Sequence, residues 1–436
     1  MDILLNPMVL AIIIMITLCL LRMNVFLAMT VAALACAVLG GSTVVEGTAM
    51  FLDGMGGNAE NALNILMFGI LAEAMSFTKA GEAFTSRMAK LVNGKVWILC
   101  ALLFVLGVLC ETVILIYATF VPVVVPPLMG LLNKYKVDRR KVVTLIIAGL
   151  QVGYVCVPIG CGRMFQEIIV SSLADNGLTV EFSQVAPANI WVLIAMLVGA
   201  AMAFIIYRKP REYTGEKVVV LDDVEQTEYP KIEWKHWAVV LSAVFCVAVQ
   251  VITGSTGLGT VAGVLSLPIF GALKWNDYGK VAQKGMESMG FVGFVFLAAT
   301  GFANVSRQVG DVEGLVKAYA DIVGPNKFIT AFLLLVLGLL VTMGIGSSWS
   351  TAPIVAIMMV PICMEVGFSP AATILLVSAA ACLGDAGSPA SDQTLIPSAA
   401  FNLDDNHDHI KDSCIPSFLC LNIPLLFIGA IGACII

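Results

Sequence analysis

Long apolar stretches alternate with short polar ones along this chain, and the apolar stretches have the length that crosses a membrane. A helix needs about 20 apolar residues to span the hydrocarbon core. The pattern therefore predicts ten helical spans, five in each half of the chain. The first five lie at 3–21, 24–41, 61–78, 141–175 and 187–207, and the second five lie at 236–253, 257–273, 287–303, 369–402 and 413–436.

Two further apolar runs, at 96–133 and 328–366, are interrupted near their middle. Each arm of the first run is roughly 22 Å of helix, which is too short to cross a core of about 30 Å. Each run therefore predicts a re-entrant hairpin. Amphipathic, charge-bearing stretches at 78–95 and 304–327 precede the hairpins and are expected to lie at the membrane interface.

A repeat at an offset of 231 residues relates the two halves. The run Leu103–Leu109 returns as Leu334–Leu340. Without a gap, three interruptions then coincide: Pro122 with Pro353, Gly153 with Gly384, and Pro158 with Pro389. The spans 141–175 and 369–402 are thus predicted to be broken helices. Paired breaks of this kind are the best sequence indication of a transporter's binding site.

Charge placement predicts the orientation of the two halves. With the acidic loop 42–60 outside, the basic clusters near 134–141 and 208–211 fall inside. Twenty of the 24 Lys and Arg lie inside. Arg163 lies within the membrane, and Arg307, Lys317 and Lys327 lie outside. This asymmetry follows the positive-inside rule and makes the halves inverted, with both termini outside. One loop disagrees, because 403–412 should lie inside yet is acidic.

Composition supports this architecture. Hydrophobic residues make up 59% of the 436, charged residues only 12%, and the mean hydropathy is +0.96. The predicted fold is an all-α polytopic inner-membrane protein with two inverted repeats of five transmembrane helices, each with a re-entrant hairpin and a broken helix. The first repeat covers 1–207, a cytoplasmic linker covers 208–235, and the second repeat covers 236–436. Residues 3–21 lack a basic leader and a cleavage site, which favours a first membrane helix over a signal peptide.

Several classes of function are disfavoured. No HExxH motif occurs and no histidine is expected near a serine in the core, so an enzyme is not predicted. No GxxxxGK[ST] loop occurs, so an ion gradient rather than ATP should drive transport. No organic cofactor and no nucleic-acid partner are predicted. The 12 cysteines lie mainly in apolar runs, and His407 and His409 are expected in a solvated turn without a role in proton relay.

The most polar chemistry lies in the second half, at the hairpin tip and at the break in 369–402. The break offers backbone carbonyls, hydroxyls and the carboxylates of Asp385 and Asp392, which suit Na+ or a proton. Four hydroxyls crowd the tip: Ser347 and Ser348, expected at the cation site, and Ser350 and Thr351, expected at a solute site. Helix capping is the alternative interpretation of these polar groups.

The sequence of this break, Gly384-Asp385-x-x-Ser388-Pro389-x-Ser391-Asp392, resembles the GDxxSPxSD signature of the NhaC-type Na+/H+ antiporter family and its YuiF-like branch. The resemblance implies cation-binding roles for the four polar residues of the motif, which are Asp385, Ser388, Ser391 and Asp392. It also implies a homodimer in which a transport domain moves against a scaffold in an elevator-like cycle.

The first-half break is not a second polar copy, which sets this chain apart from a symmetric two-site exchanger. Arg163 follows it, and a membrane-buried arginine is costly unless it is paired. It could pair with Glu111 or Glu167, or it could bind a solute carboxylate. In the second scheme Glu111 and Thr112 hold an ammonium group, and Pro158 and Gly160 complete the solute site.

Two functions therefore remain open. The first is Na+- or H+-coupled transport of a small amino-acid-like or carboxylate solute across the inner membrane. The second is Na+/H+ exchange without an organic solute. Arg163 and the unlike halves favour the first, whereas the name of the similar family favours the second.

Overall fold

The computed structural model describes residues 6–21, 23–56, 59–80, 96–112, 121, 125, 128–130, 132–214, 232–309, 326–345, 347–389, 391–402 and 404–436. All regular elements in these residues are helical. The first half contains α1 (Pro7–Leu20), α2 (Val25–Leu39), α3 (Val44–Gly56), α4 (Ala59–Thr78), α5 (Val96–Thr112), α6 (Arg139–Cys156), α7 (Cys161–Asp175), α8 (Phe182–Ala188) and α9 (Ile190–Ile206).

The second half contains α10 (Trp234–Thr253), α11 (Thr256–Ile269), α12 (Trp275–Val309), α13 (Lys327–Ile345), α14 (Ser348–Val366), α15 (Pro370–Cys382) and α16 (Asp392–Phe401). It ends with α17 (His409–Ile435), which includes π-helical turns at His409–Cys414 and Phe418–Asn422. The all-α polytopic architecture that the sequence predicted is therefore confirmed.

Five helical segments in the described residues are long and apolar enough to cross a membrane: Phe182–Ile206, Trp234–Thr253, Met289–Val309, Ser348–Val366 and His409–Ile435. The pair α6 and α7, bent by 55° at a short break, makes a sixth. Shorter apolar helices correspond to four of the other predicted spans: Phe26–Leu39, Ala62–Thr78, Thr256–Ile269 and Pro370–Cys382. The helix α1 corresponds to the fifth, 3–21. Because α14 alone is long enough to cross, the re-entrant form of the second hairpin stays a prediction.

Some predicted segments differ from the structure or lie outside its described residues. α12 begins at Trp275 and ends at Val309, so it extends well beyond the predicted span 287–303. Residues 81–95 and 310–325 of the predicted interfacial stretches lie outside the described residues, as do 113–120 of the first hairpin and 215–231 of the linker.

The repeat is visible in the helix boundaries. α5, α6 and α7 begin at Val96, Arg139 and Cys161, and α13, α15 and α16 begin 231 residues later. The two copies also meet, because Gln151 Nε2 donates to Cys382 O at 3.1 Å across the same offset of 231 residues. The structure is thus compatible with the predicted inverted repeat.

The helices form two groups, and each half contributes to both. In the first group α12 packs along α2, α3 and α4, with α1, α10 and α11 beside them. In the second group α5 packs on α6, α13 on α15 and α17, and α14 on α7 and α15. The main packing between the groups is that of α12 on α14, with a smaller contact of α1 with α13.

Small residues permit the tightest helix crossing. A Cβ at Gly149 of α6 would lie 2.1 Å from Phe104 O of α5, and one at Gly107 would lie 2.6 Å from Ile146 O. In the second repeat a Cβ at Gly338 would lie 2.4 Å from Ala380 Cβ. Close backbone approach through small residues is the usual way in which helices pack within membranes.

Charged side chains collect at the end of the molecule that the sequence places inside. Arg139 forms a buried bidentate ion pair with Asp404, at 2.7 and 2.5 Å, and Arg211 lies 2.7 Å from Asp412. The acidic loop 403–412 therefore lies among the basic residues of that end, which explains its unusual charge. The expectation of a solvated turn was wrong for His407, whose side chain is only 3% exposed.

Candidate ion site at the second helix break

The described residues of the break between α15 and α16 are 383–389 and 391, and a glycine makes the break possible. Gly384 has a φ of +86°, and a Cβ there would lie 2.9 Å from Leu339 O. Ser391 caps α16, because its Oγ accepts a hydrogen bond from Gln393 N at 3.1 Å. The carbonyls freed at the end of α15 are occupied by donors from neighbouring helices, since Thr342 Oγ1 donates to Ala380 O at 2.9 Å.

The carboxylate of Asp385 lies at the centre of this break and is 3% exposed. Its Oδ2 accepts from Ser348 N at 3.2 Å and from Gln393 Nε2 at 3.1 Å. The hydroxyl of Ser348 donates to Oδ2 and that of Ser391 donates to Oδ1. We call these residues the Asp385 cage. They bring the tip of the second hairpin and the break together.

Among the described residues no Lys, Arg or His forms an ion pair with Asp385. A buried carboxylate that lacks a counter-charge is strongly disfavoured in its ionised form unless a cation binds to it. Oxygen ligands are those that hard cations prefer. Within the described part of the chain, no group of three or more His, Cys, Asp or Glu is arranged to hold a metal ion.

The first repeat contributes an aromatic wall to the cage rather than a second acid. Tyr154 Oη lies 2.8 Å from Ser348 Oγ, and its ring stacks on Trp349 with the centroids 6.1 Å apart. Phe165 packs edge-on against both rings. Neither Tyr154 nor Gln393 was predicted from the sequence as a residue of the site. The repeat offset of 231 residues did indicate Tyr154, because it aligns Tyr154 with Asp385.

Three other second-half hydroxyls that the sequence proposed donate to backbone carbonyls. Ser388 Oγ donates to Met343 O at 3.1 Å, and Thr351 Oγ1 donates to Ser347 O at 2.8 Å. Ser350 Oγ also lies within reach of Ser347 O, at 3.3 Å. Asp392 is exposed on the first turn of α16 and takes part in none of these hydrogen bonds of the cage, although its charge acts on Asp385 through space.

The first-half break is formed by residues 157–160. The polar side chains around it mostly form hydrogen bonds with backbone carbonyls. Gly160 has a φ of +63°, and Pro158 is exposed. Val155 O accepts from Gln166 Nε2 at 3.0 Å and from Asn189 Nδ2 at 3.1 Å. The break is thus held by amide side chains and offers no carboxylate of its own.

Glu111 and Thr112 end α5 beside this break. Glu111 is 7% exposed, and a Cβ added at Gly153 would lie 2.8 Å from Glu111 Cβ. The Glu111 carboxyl interacts with the thiol of Cys161 and, through space, with Asp385. Thr112 Oγ1 donates to Val108 O at 3.0 Å within its own helix. Glu111 therefore approaches the ion site, whereas Thr112 has a local partner.

Arg163 lies away from the Asp385 cage and is bound by protein groups. Its Nε donates to Glu167 Oε1 at 2.8 Å and its Nη2 donates to Gly254 O at 2.7 Å. The guanidinium also stacks on Phe182, 4.8 Å from the ring centroid. Of the two acidic partners that the sequence offered, Glu167 is the one that the structure shows.

A polar cavity that was not predicted from the sequence lies where α3, α7 and α12 meet. Its volume is about 200 Å3, and Asp53, Asp175 and Arg307 line it. Arg307 Nη1 donates to Asp175 O at 3.0 Å, while its Nε has no hydrogen-bond partner among the described residues. The cavity therefore presents both signs of charge. In the sequence, only the predicted position of Arg307 outside the membrane indicated this cavity.

Comparison with known proteins shows the family to which this chain belongs. Residues 142–430 match the model described as Na+/H+ antiporter family, and residues 6–92 match a second one described as Na+-H+ antiporter family. The chain is 36% identical to the putative amino acid transporter YuiF of Bacillus subtilis strain 168 over 447 residues, covering 99% of this chain and 100% of that protein.

Two more distant similarities agree. The Na(+)/H(+) antiporter NhaC of Alkalihalophilus pseudofirmus is 28% identical over 196 residues, which cover 44% of this chain and 42% of that protein. The structure of MtrF from Neisseria gonorrhoeae, described as illuminating a class of antimetabolite efflux pumps, has a TM-score of 0.64 and 13% identity, with 97% of this chain and 95% of that chain covered. This last similarity shows the fold alone.

The family and these relatives are described as antiporters and transporters, and not as enzymes. The membrane-spanning helices and the matched family together make this chain a multi-pass inner-membrane secondary transporter that uses Na+ or H+ as its coupling ion. It belongs to the NhaC-type Na+/H+ antiporter family.

Proposed function

We propose that the Asp385 cage is the ion site and that the protein exchanges Na+ for H+ across the membrane. The observation that carries this proposal is a buried carboxylate that no described cationic side chain neutralises. One carboxylate can hold a proton or a Na+ ion but gains little from holding both. Competition of the two cations for Asp385 is therefore sufficient to couple their movements in opposite directions.

The surrounding groups suit both states of the carboxylate. When Asp385 is ionised, the Ser348 and Ser391 hydroxyls and the Gln393 amide donate to it. When Na+ binds, the same hydroxyls rotate and present lone pairs, since a hydroxyl is both donor and acceptor. The aromatic wall of Tyr154 and Trp349 keeps the side of the cage that they cover dry, which strengthens these electrostatic interactions.

Arg163 weakens the competing solute hypothesis. A guanidinium that already donates to Glu167 and Gly254 O has fewer donors left for a substrate carboxylate. Among the described residues, no contact joins it to Asp385 or Glu111. We therefore assign Arg163 a positioning role between helices rather than a role in binding solute.

The test is a proton-flux assay with purified protein in proteoliposomes that contain a pH-sensitive dye. A pulse of Na+ alone is expected to drive proton movement with the wild type. Asp385→Asn removes the exchangeable charge and is expected to lower the rate at least a hundredfold. Absence of any Na+-driven proton flux with the wild type would refute the exchange mechanism.

Asp392→Asn is the matched control, because it makes the same change at the exposed acid on the next helix. We expect it to change the apparent Na+ affinity by less than tenfold and to leave the maximal rate nearly intact. If the two variants lost activity equally, the difference between the two carboxylates in the structure would not describe the transporting state.

A second candidate is coupled transport of a small amino-acid-like or carboxylate solute. The similarity to YuiF and the cavity with Asp53, Asp175 and Arg307 favour it. A zwitterion could place its carboxylate on Arg307 and its ammonium on the two aspartates. This function would be established if a labelled amino acid accumulates under a Na+ gradient in the wild type and in Arg163→Lys but not in Arg307→Gln. If Arg307→Gln still accumulates the amino acid, the cavity is excluded as the solute site.

A further inference from the structure

Gln393 is the member of the Asp385 cage whose side chain uses only one of its two polar atoms. We propose that Gln393 is itself a Na+ ligand, and that its carbonyl oxygen gives the site a preference for Na+ over K+. This inference rests on the proposed function, in which the Asp385 cage is the ion site. It adds a neutral ligand to the carboxylate and names the residue that selects among cations of equal charge.

Gln393 is held in place through both its backbone and its side chain. Its backbone N donates to Ser391 Oγ at 3.1 Å, at the start of α16. Its Nε2 donates to Asp385 Oδ2 at 3.1 Å, and the residue is only 5% exposed. Because the Ser391 hydroxyl also donates to Asp385 Oδ1, both parts of Gln393 are tied to the same carboxylate.

The carbonyl oxygen of this amide is the unused atom. Gln393 Oε1 is buried and has no hydrogen-bond partner among the described residues. Buried polar atoms are rarely left in this state, because the lost contact with water costs free energy unless another group replaces it. Oε1 and Nε2 are bonded to one carbon atom, so Oε1 lies close to the Asp385 carboxylate. It is therefore within reach of a cation that this carboxylate attracts.

Rotation of the amide adapts the cage to the presence of a cation. In the structure Nε2 faces Asp385 Oδ2, which suits an ionised carboxylate. The last side-chain torsion of glutamine is broad and roughly two-fold, so the amide can turn over at little cost. Oε1 then faces Oδ2, and the two oxygen atoms hold Na+ between them. Oxygen atoms are the ligands that hard cations prefer.

Gln393 is also suited to discriminate between Na+ and K+. These cations have the same charge, so the number of oxygen ligands and the size and rigidity of the cavity must distinguish them. The hydroxyls of the cage rotate freely, whereas the position of Gln393 is fixed by its two hydrogen bonds. On another side the stacked rings of Tyr154 and Trp349 close the cage. The cage therefore has little room to expand around the larger K+ ion.

A second buried glutamine provides a matched control. Gln250 of α10 is 0% exposed, and its Oε1 also has no hydrogen-bond partner in the part of the chain that the structure describes. It belongs to the first helix group, away from the cage. Methionine is unbranched and adaptable in packing, so Gln393→Met and Gln250→Met remove the amide with little disturbance. Gln393→Glu keeps an oxygen atom at the same position.

Binding of 22Na+ to the purified protein, with competition by unlabelled Na+ and K+, tests the role of Gln393 without transport. We expect Gln393→Met to weaken Na+ binding at least tenfold and to reduce the preference for Na+ over K+ at least tenfold. Gln250→Met should match the wild type, and Gln393→Glu should retain Na+ binding within threefold. If Gln393→Met fails to fold, Gln393→Asn, which withdraws the oxygen by one methylene, should show the same losses.

Three outcomes would contradict parts of this scheme. Equal Na+ affinity and equal preference in Gln393→Met and Gln250→Met overturn the role of Gln393 and leave the exchange function intact. Weaker binding of both cations with an unchanged preference shows that Gln393 only orients Asp385, and also overturns the proposal. In proteoliposomes, a wild type that binds 22Na+ but shows no Na+-driven proton flux overturns the exchange function alone.

Discussion

At the residue scale, two of the buried aspartates of the second half, Asp385 and Asp404, differ in their partners. Asp385 is surrounded by neutral donors, whereas Asp404 faces Arg139 in a bidentate ion pair with side-chain exposures of 0% and 4%. Burial raises the pKa of Asp404, but hydrogen bonds from Arg139 and its charge outweigh burial and hold that pKa below its usual value. The first aspartate is thus suited to exchange its counter-ion, and the second to fix structure.

Removing Asp404 should therefore destabilise the protein. Asp404→Asn leaves the Arg139 guanidinium buried without its counter-charge, which typically costs about 3–5 kcal/mol of unfolding free energy. Unfolding by titration with a denaturing detergent measures this loss. Glu212→Gln is the control, because Glu212 pairs with Lys136 at the surface, where ion pairs contribute little. Equal stability of the two variants would contradict a structural role for the Arg139 pair.

The stability of the protein should also depend on pH through His407. Burial, followed by the nearby charges of Arg139 and Arg211, lowers the pKa of His407 from 6.5 to about 4, against the opposing effect of Asp412. The neutral ring is favoured in the folded state, so its stabilisation is complete above pH 6.5 and is lost as pH falls from 6.5 towards 4.

His407→Asn should flatten this pH dependence. Between pH 6.5 and pH 4 we expect the wild type to lose roughly 3 kcal/mol more unfolding free energy than the variant does. Above pH 6.5 the difference between them should be constant. Denaturation curves collected at each pH provide the measurement, and parallel curves across the whole range would show that His407 is not buried in its neutral form.

At the element scale, the crossing of α5 and α6 positions the first-repeat side of the site. α5 carries Glu111 and α6 carries Tyr154, and the two backbones touch at Gly149. Gly149→Ala places a Cβ against backbone that cannot yield, so the helices must separate. We expect at least a tenfold loss of transport rate. Gly279→Ala in α12, where a Cβ meets no atom within 4 Å, should leave the rate unchanged.

The sequence predicted these elements better than it predicted the site. Gly384 and Pro389 signalled the break because glycine and proline interrupt helices for local reasons. The orientation of Asp392 could not be predicted, since one step along α16 turns a side chain by about 100° and packing decides which residue faces the cage. His409 reaches Pro389 only because α17 packs beside α16, and no local pattern encodes that contact.

At the scale of the whole molecule, polar contacts join the two helix groups. Glu167 Oε2 of α7 accepts from Thr256 Oγ1 of α11 at 2.7 Å, and Arg163 reaches Gly254 O beside it. Arg307 of α12 contacts Asp175 of α7. The family resemblance implies an elevator-like cycle, and we propose that the second group moves against the first in it. These contacts must then break in each turnover. The homodimer implied by the family resemblance is a separate proposal, which light scattering of the solubilised protein can test.

A cross-link between the groups should therefore stop transport, while one within a group should not. Glu167→Cys with Thr256→Cys, joined by a short bifunctional thiol reagent, fixes α7 to α11, and we expect the exchange rate to fall at least twentyfold and to recover on reduction. For the control, Ser306→Cys is joined to Cys36, whose sulfur lies 3.9 Å from Ser306 Oγ within the first group. Mass spectrometry confirms both links, since the native cysteines could compete for the reagent.

Full activity of the linked Glu167–Thr256 pair would mean that the ions cross between groups that stay fixed, and inhibition by both links would point to a general loss of flexibility. Inhibition by the first link alone is the result that relative motion of the two groups requires.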